Sequence, residues 1–389
     1  MAVETAGPAR ERFDWTLVKF LAFPALSLLV LIEVALGGVW FYAILPTYLA
    51  VAMLGDSALG DDFARRSTAR RRILDGYLYS ALPLCLGVTV LLACHAAGAA
   101  PWPLQAMGSA VGFDIDARAG GTTLPQLAAG ILGLGLFFGS LVNVAHELVH
   151  RVGDKGAWLS GRWLLAHTLD TGFAIEHVYG HHRYVGTPRD PATARRGEHV
   201  LAFVWRSTVG QIVSAFEIER RRLERRGVSA WSWSNRVLSG QAMSLALIAL
   251  VAAIGGWRAV LVFLATAVLG KAALEVVNYM EHYGLARVEG TPVRPHHSWN
   301  CHNRLSSWLL FNLPRHSDHH MNATRPYYDL RPVPELKSDA PILPMGYLCC
   351  MVVALVPPLW RRMIEPRLAD WDARLASEAE VEAARAMAR

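Results

Sequence analysis

The sequence predicts an all-α protein: a bundle of six membrane-spanning helices with a histidine-rich cap on its cytoplasmic side. Three observations lead there. The 389 residues are 53% hydrophobic, with a mean hydropathy of +0.26. Six nearly uncharged stretches are long enough to cross a hydrocarbon core of roughly 30 Å as helix. Nine of the fifteen histidines fall in four short groups, and each group follows one of those stretches or lies on its cytoplasmic side.

The spans are expected at about 17–36, 38–54, 77–97, 125–145, 238–256 and 258–280. Glu4, Arg10, Glu11, Arg12 and Asp14 precede the first, without a small-residue cleavage site after a short apolar core, so that helix is expected to stay as an anchor. Arg65, Arg66, Arg70, Arg71 and Arg72 lie in the 55–76 connection, whereas 98–124 carries only Arg118. Positive-inside asymmetry puts the first connection in the cytoplasm, and with it both termini and the segments 146–237 and 281–370. The whole chain reads as one integral-membrane domain. Ionisable residues within spans are few: Glu33, and the pair Lys271 and Glu275 at i,i+4, for which a functional site and a structural ion pair are both open readings.

The connecting elements follow from composition. "GTPRDPATARRGEH" at 186–199 reads as a loop, and 202–227 as an amphipathic helix on the membrane ending in an arginine run. Residues 345–357 are too short to span and are expected as an interfacial helix or a prop beneath the bundle. The tail 375–389 is expected as a solvated helix or a disordered end. The net charge of +6 fits anionic lipid or an acidic partner; no nucleic-acid partner is expected. Cys85, Cys94, Cys301, Cys349 and Cys350 form no C-x-x-C, so no thiolate metal ribbon is encoded.

"HELVH" contributes His146 and His150, four apart and so on one helix face. "EHVYGHH" contributes His177, His181 and His182, of which the first two are expected to share a face. "MEHYG" gives His282, and "RHSDHH" gives His316, His319 and His320. Neutral imidazole suits iron, copper, nickel and zinc, and nine donors suit two ions with four or five ligands each. Glu147, Glu176, Glu281 and Asp318 adjoin these histidines and could orient them. "HELVH" also fits a zinc-protease helix, but three further histidine groups have no place in that chemistry. A metal transporter would put its ligands near the bilayer midplane instead. His95, His167, His199, His296, His297 and His302 lack ligand spacing and read as structural, His297 least securely.

At "HELVHR", "EHVYGHHRYVGTPRDPATAR", "NYMEHYGL", "PHHSWN" and "LPRHSDHHMNATRPYYDLR" the chain resembles the bacterial integral-membrane alkane 1-monooxygenases of the membrane fatty-acid-desaturase-like superfamily. The resemblance runs from about residue 38 to 370. "NYMEHYGL" is its most specific part, because desaturases share the other boxes but not this one. Two departures are Val149, where the family favours glycine, and Pro314, where it favours glutamine. The resemblance implies a di-iron centre on the nine histidines and insertion of one atom of O₂ into a terminal C–H bond of a medium-chain n-alkane drawn from the bilayer. It also implies electrons from rubredoxin, reduced by a separate rubredoxin reductase, and a place in the bacterial inner membrane. Relatives acting on xylene or cymene methyl groups share much of the pattern, and a desaturase is a further alternative. Trp40 matches a place where the family keeps a bulky residue; it is expected to stopper the alkane channel or to be a packing tryptophan. Arg65, Arg66, Arg70, Arg71 and Arg72, with Arg220, Arg221, Arg222, Arg225 and Arg226, are the expected surface for the electron donor or for lipid headgroups.

Overall fold

The computed structural model describes residues 15–65 and 70–388, so the charged residues up to Asp14, and Arg66, lie outside it. Helix makes up 72% of the described residues. The described residues contain no β-strand, only the isolated bridges Asp61–Asn303 and Asn300–Ile342. Five helices are long and apolar enough to cross a membrane: α1 (Trp15–Leu36), α2 (Gly38–Leu59), α3 (Arg71–Ala97), α4 (Leu124–His150) and, later in the chain, α7 (Arg236–His282). Between the last two lie α5 (Lys155–Ala166) and α6 (Val200–Glu224). A cap follows α7: α8 (Arg304–Leu309), α9 (His316–Met321), α10 (Tyr347–Ala354), α11 (Pro357–Asp370) and α12 (Glu378–Ala388).

The first four expected spans fall within or nearly within α1 to α4, which run further into polar sequence. Helix α3 starts at Arg71, and α4 continues through the first histidine group to His150. The two stretches expected at 238–256 and 258–280 join in α7, which is interrupted where Gly255 (φ −136°, ψ 15°) and Gly256 (φ 61°, ψ −157°) leave helical geometry. The second of these is a left-handed conformation that glycine adopts without steric cost. A straight helix of this length would extend about 70 Å. Instead Gly240 packs on Arg162 and Thr171, and Lys271 reaches Asp170, while Gly255 meets Ala93 and Ala97 at the far end of α3. Both ends of α7 therefore lie on the histidine side of the bundle.

Helix α4 is the central post. A Cβ at Gly133 would strike Ile44 and Leu45 of α2, and one at Gly139 would strike Ala273 of α7, so glycine permits the close approach on both sides. The Lys271 amine sits between Asp170 (2.6 Å) and Glu275 (2.5 Å), and Gln211 of α6 donates to Glu275 (2.9 Å). This resolves the pair as part of a buried brace that ties α7 to α6 and to the segment leading into the second histidine group. Glu33 accepts from Thr47, linking α1 to α2.

Helix α6 is two-faced. Val200, Phe203, Ser207, Gln211, Ala215, Glu219 and Leu223 are buried at helical spacing, whereas Leu201, Trp205, Val209, Ile212 and Val213 are exposed. An exposed apolar ridge of this kind fits an interfacial position. The tail differs from the expected solvated or disordered end. In α12, Glu380 and Ala384 are buried, with Glu380 accepting from His297 Nε2 (2.7 Å) and from Ser377 N and Oγ (2.8 Å each). Polar composition concealed a docked helix because its anchor is itself a carboxylate.

Candidate metal centre

Imidazoles from four chain segments meet beneath the bundle. His146, His150, His177, His182 and His319 form one group; His181, His282, His316 and His320 form the other. Within each group, one ligand nitrogen per ring lies within 4.8 Å of all the others. Contacts in the first group run His146–His319 (2.9 Å), His319–His182 (3.0 Å) and His182–His177 (3.1 Å), all between Nε2 atoms. In the second, His316 Nε2 meets both His282 (3.2 Å) and His320 (2.9 Å).

Hydrogen bonding cannot satisfy these rings. A neutral imidazole offers at Nε2 either one proton or one lone pair, in a single in-plane direction. His319, His182 and His316 each face two other Nε2 atoms, and the Nε2 atoms of His150 and His181 are buried without a partner. A cation inside each group would take the convergent lone pairs together. The residues therefore fit a metal ion, and they fit two. Burial first, and then repulsion among neighbouring imidazoles, holds His177, His182, His316, His319 and His320 below the usual imidazole range, which keeps them in the neutral form a metal needs.

The second histidine group is wound as a π-helical turn over His177–His181. The His177 and His181 rings lie side by side, 5.0 Å between centroids, as their spacing of four predicts, yet they enter different groups. The wider i→i+5 turn brings the His182 ring edge-on to His177, 4.7 Å away. Gly180 lies inside this turn, where a Cβ would press on Glu176. Phe173 stacks on the His177 ring (4.5 Å between centroids, 15° between planes) and fixes its orientation.

Of the four acids that adjoin the histidines in sequence, Glu281 touches one. It stands 3.3 Å from His316 Nδ1 and accepts a hydrogen bond from the Tyr347 hydroxyl. Glu147 pairs instead with Arg151, Glu176 accepts from Ser214, and Asp318 accepts from Arg331 N and pairs with Arg325. The acid missed by sequence reasoning is Asp190, whose Oδ2 accepts from His181 Nδ1 at 2.9 Å. Burial disfavours the His181 cation, but the Asp190 carboxylate outweighs it and shifts His181 upward, while Asp190 stays below the usual carboxylate range. Asn300 was missed as well. Its side chain takes the N–H of Ser317 (3.0 Å) and donates to Ser317 Oγ (2.7 Å), clamping α9 in place.

The other six histidines have separate explanations. His95 bridges Thr122 and the Val34 carbonyl, His167 bonds the Trp163 carbonyl, His199 caps α6, and His302 packs on Phe63. His296 and His297 form a third candidate group with Glu380. There the His297 Nδ1 accepts from Arg294 N–H (3.0 Å), so its Nε2 carries the proton donated to Glu380 and has no lone pair for a metal.

An apolar cleft rises from the centre between α2, α4, α7, α8 and α10. His146 and His177 of one group and His316 of the other reach its wall, with Leu136, Val142, Leu274, Leu309, Leu348 and Met351 among the apolar lining. Trp40 is not part of that lining. It is 46% exposed at the start of α2, and the residue of α2 that reaches the cleft is Tyr48.

A membrane bundle whose buried centre consists of two polyhistidine groups is the architecture of an integral-membrane metalloprotein. The fatty acid desaturase family profile matches residues 122–349. An alkane 1-monooxygenase of Pseudomonas putida is 33% identical over 369 residues, covering 93% of this chain and 86% of its own length. A xylene/toluene monooxygenase hydroxylase component of Pseudomonas putida is 33% identical over 375 residues, covering 95% and 94%. With an alkane 1-monooxygenase of Acinetobacter baylyi the identity is 38% over 271 residues, 68% of this chain and 65% of that relative's length. The chain belongs to the alkane 1-monooxygenase family within the fatty-acid-desaturase-like membrane proteins.

Proposed function

We propose that the protein is an O₂-dependent monooxygenase that hydroxylates the terminal carbon of medium-chain n-alkanes. The carrying observation is the mainly apolar cleft that ends on both histidine groups, so that a chain end lying in it is directed at the metal centre. The nine histidines would hold two iron ions, five imidazoles on one and four on the other, and bound iron would supply the activation of O₂. The protein's own part is orientation and exclusion of water. Leucine and valine side chains along the cleft align the chain, and Asp190 and Glu281 hold His181 and His316 from behind.

From Leu136 to His146 the cleft follows ten residues of α4, about 15 Å of rise. At carbon–carbon bonds of about 1.5 Å, a zigzag chain of roughly ten to twelve carbons fills that length. We read the topology as six crossings, the fifth and sixth being the halves of α7 on either side of Gly255–Gly256. The histidine side is the cytoplasmic side of the bacterial inner membrane, in keeping with the arginines at 65–72.

Reducing equivalents come from a separate chain, rubredoxin in this reading, recharged by its reductase. Among the arginines expected to dock it, Arg220 and Arg221 are engaged by Glu217, and Arg222 by Glu219. An acidic donor would therefore meet a partly neutralised patch. Charge reversal at Arg221 and Arg225 should raise the apparent KM for rubredoxin, and rising salt should do the same. If activity with a small-molecule reductant falls equally, the patch belongs to the membrane rather than to the donor.

The likeness to the xylene/toluene component supports a second reading, hydroxylation of an aryl methyl group. Membranes containing the protein, given a reducing system and a mixture of octane and p-xylene, decide between them. The expected main product is 1-octanol. Exclusive 4-methylbenzyl alcohol would replace the first reading by the second, and no oxygenated product from either would remove both.

A further inference from the structure

On the cleft wall, outside the histidines, one side-chain amide nitrogen has no partner among the described residues. Asn143 stands three residues before His146 on α4, a spacing that puts side chains on one helix face about 5–6 Å apart at Cβ. It is 7% exposed, lines the cleft, and its Nδ2 finds no acceptor among the described residues. Its polar neighbours on the wall are all engaged. Ser140 donates to the Phe137 carbonyl, Asn278 to Glu275, Ser306 to Asp56 and Tyr347 to Glu281.

A buried donor left unpaired costs free energy, because nothing compensates its desolvation. A hydrocarbon in the cleft has no acceptor and cannot relieve that cost. An oxygen attached to the chain end nearest His146 can, because the next rung of the same helix face is Asn143. We propose that Asn143 is a specificity-determining residue that donates a hydrogen bond to the oxygen of a primary alcohol in the cleft, whether newly formed or offered as a ligand. The inference rests on the hydroxylase reading of the cleft. It makes the cleft chemically asymmetric: blind to the hydrocarbon tail and selective at the end that faces the histidines. Product therefore binds better than the alkane of the same length, and its departure competes with the next substrate.

The test compares the iron-loaded protein with Asn143→Leu, which keeps the branched shape and removes the donor, and with Asn143→Ser, which keeps a donor. The quantity read is the inhibition constant of 1-octanol divided by the KM for octane. Loss of one hydrogen bond, worth about 1–1.5 kcal/mol, should raise this ratio roughly ten-fold in Asn143→Leu. Asn143→Ser should recover most of it. An unchanged ratio in Asn143→Leu overturns the proposal. A second measurement needs no turnover: displacement of a bound fluorescent fatty alcohol by 1-octanol and by 1-chlorooctane. Wild type should favour 1-octanol, and Asn143→Leu should lose the preference. Equal binding in wild type overturns the inference even if Asn143→Leu does not fold. If wild type oxidises neither octane nor p-xylene, the hydroxylase reading fails by itself, and the displacement result still decides the role of Asn143.

Discussion

Replacing Asp190 by asparagine should empty one half of the metal centre and spare the other. The carboxylate is buried, and its two oxygens have different duties: Oδ2 accepts from His181 Nδ1 (2.9 Å) and Thr193 Oγ1 (2.6 Å), Oδ1 from Ala192 N (3.0 Å). An asparagine has one oxygen for these two sets of donors. Its NH₂ must face either the Ala192 N–H or the His181 N–H, and a donor–donor contact results in both cases. His181 then loses the partner that fixes its tautomer and aims its Nε2 at His282, His316 and His320. Removing such an outer partner of a metal-bound histidine typically costs about 10–100-fold in metal affinity, or roughly 1.4–2.7 kcal/mol. The five-histidine group does not contain His181 and should keep its ion. The assay is iron content of the purified protein after equilibration with graded concentrations of a chelator. Wild type should release iron at high chelator only; Asp190→Asn should lose about half of its iron at a 10–100-fold lower concentration. Release of both ions together, or a wild-type curve, would refute the assignment of His181 and Asp190 to one of two separable sites.

Three further outcomes are expected. Lys271→Met leaves Asp170 and Glu275 buried without their cation, and breaking one side of a buried pair costs about 3–5 kcal/mol, so the thermal unfolding midpoint should fall steeply; an unchanged midpoint would mean the brace is dispensable. Tyr48→Ala should extend hydroxylation to longer alkanes, whereas Trp40→Ser should leave chain-length preference alone, because Tyr48 reaches the cleft wall and Trp40 does not; product profiles across alkane lengths check both. Glu380→Gln should expose the C-terminal helix to protease at neutral pH. Although burial opposes it, the Ser377 N–H and the two imidazoles draw Glu380 down to about 2 from an ordinary 4.5. The stabilisation from a depressed carboxylate is complete above the ordinary value and lost as pH falls from about 4.5 towards 2, so cleavage of the wild-type tail should be flat above about pH 5; loosening between pH 6 and 8 would contradict this account.

The sequence by itself determined the apolar character of the long helices, the residue types that meet at the site and most of the helices. Lipid leaves little choice: a crossing needs some twenty apolar residues, so the spans stand out by composition, and even the Gly255–Gly256 break falls at the end of one expected span, just before the next begins. Metal chemistry is equally restrictive about residue type, which is why nine histidines are visible in four short groups. Spacing of four also puts His146 and His150 in one group, because that segment is ordinary α-helix.

What only the tertiary structure decided is which ring meets which. His146 and His319 are 173 residues apart yet touch at Nε2, and no local pattern records that meeting. The division into five and four runs through the π-turn at His177–His181: the two rings are neighbours, 5.0 Å apart, yet His177 belongs to one group and His181 to the other. Adjacency in sequence pointed to Glu147, Glu176 and Asp318, but a residue next to a ligand on a helix points away from it, and these acids serve arginines, a serine and a backbone N–H instead. The acid that does hold a ligand, Asp190, lies in a segment that composition marks as loop. Its role comes from the path that loop takes back beneath His181, and that path is set by packing across the whole cap.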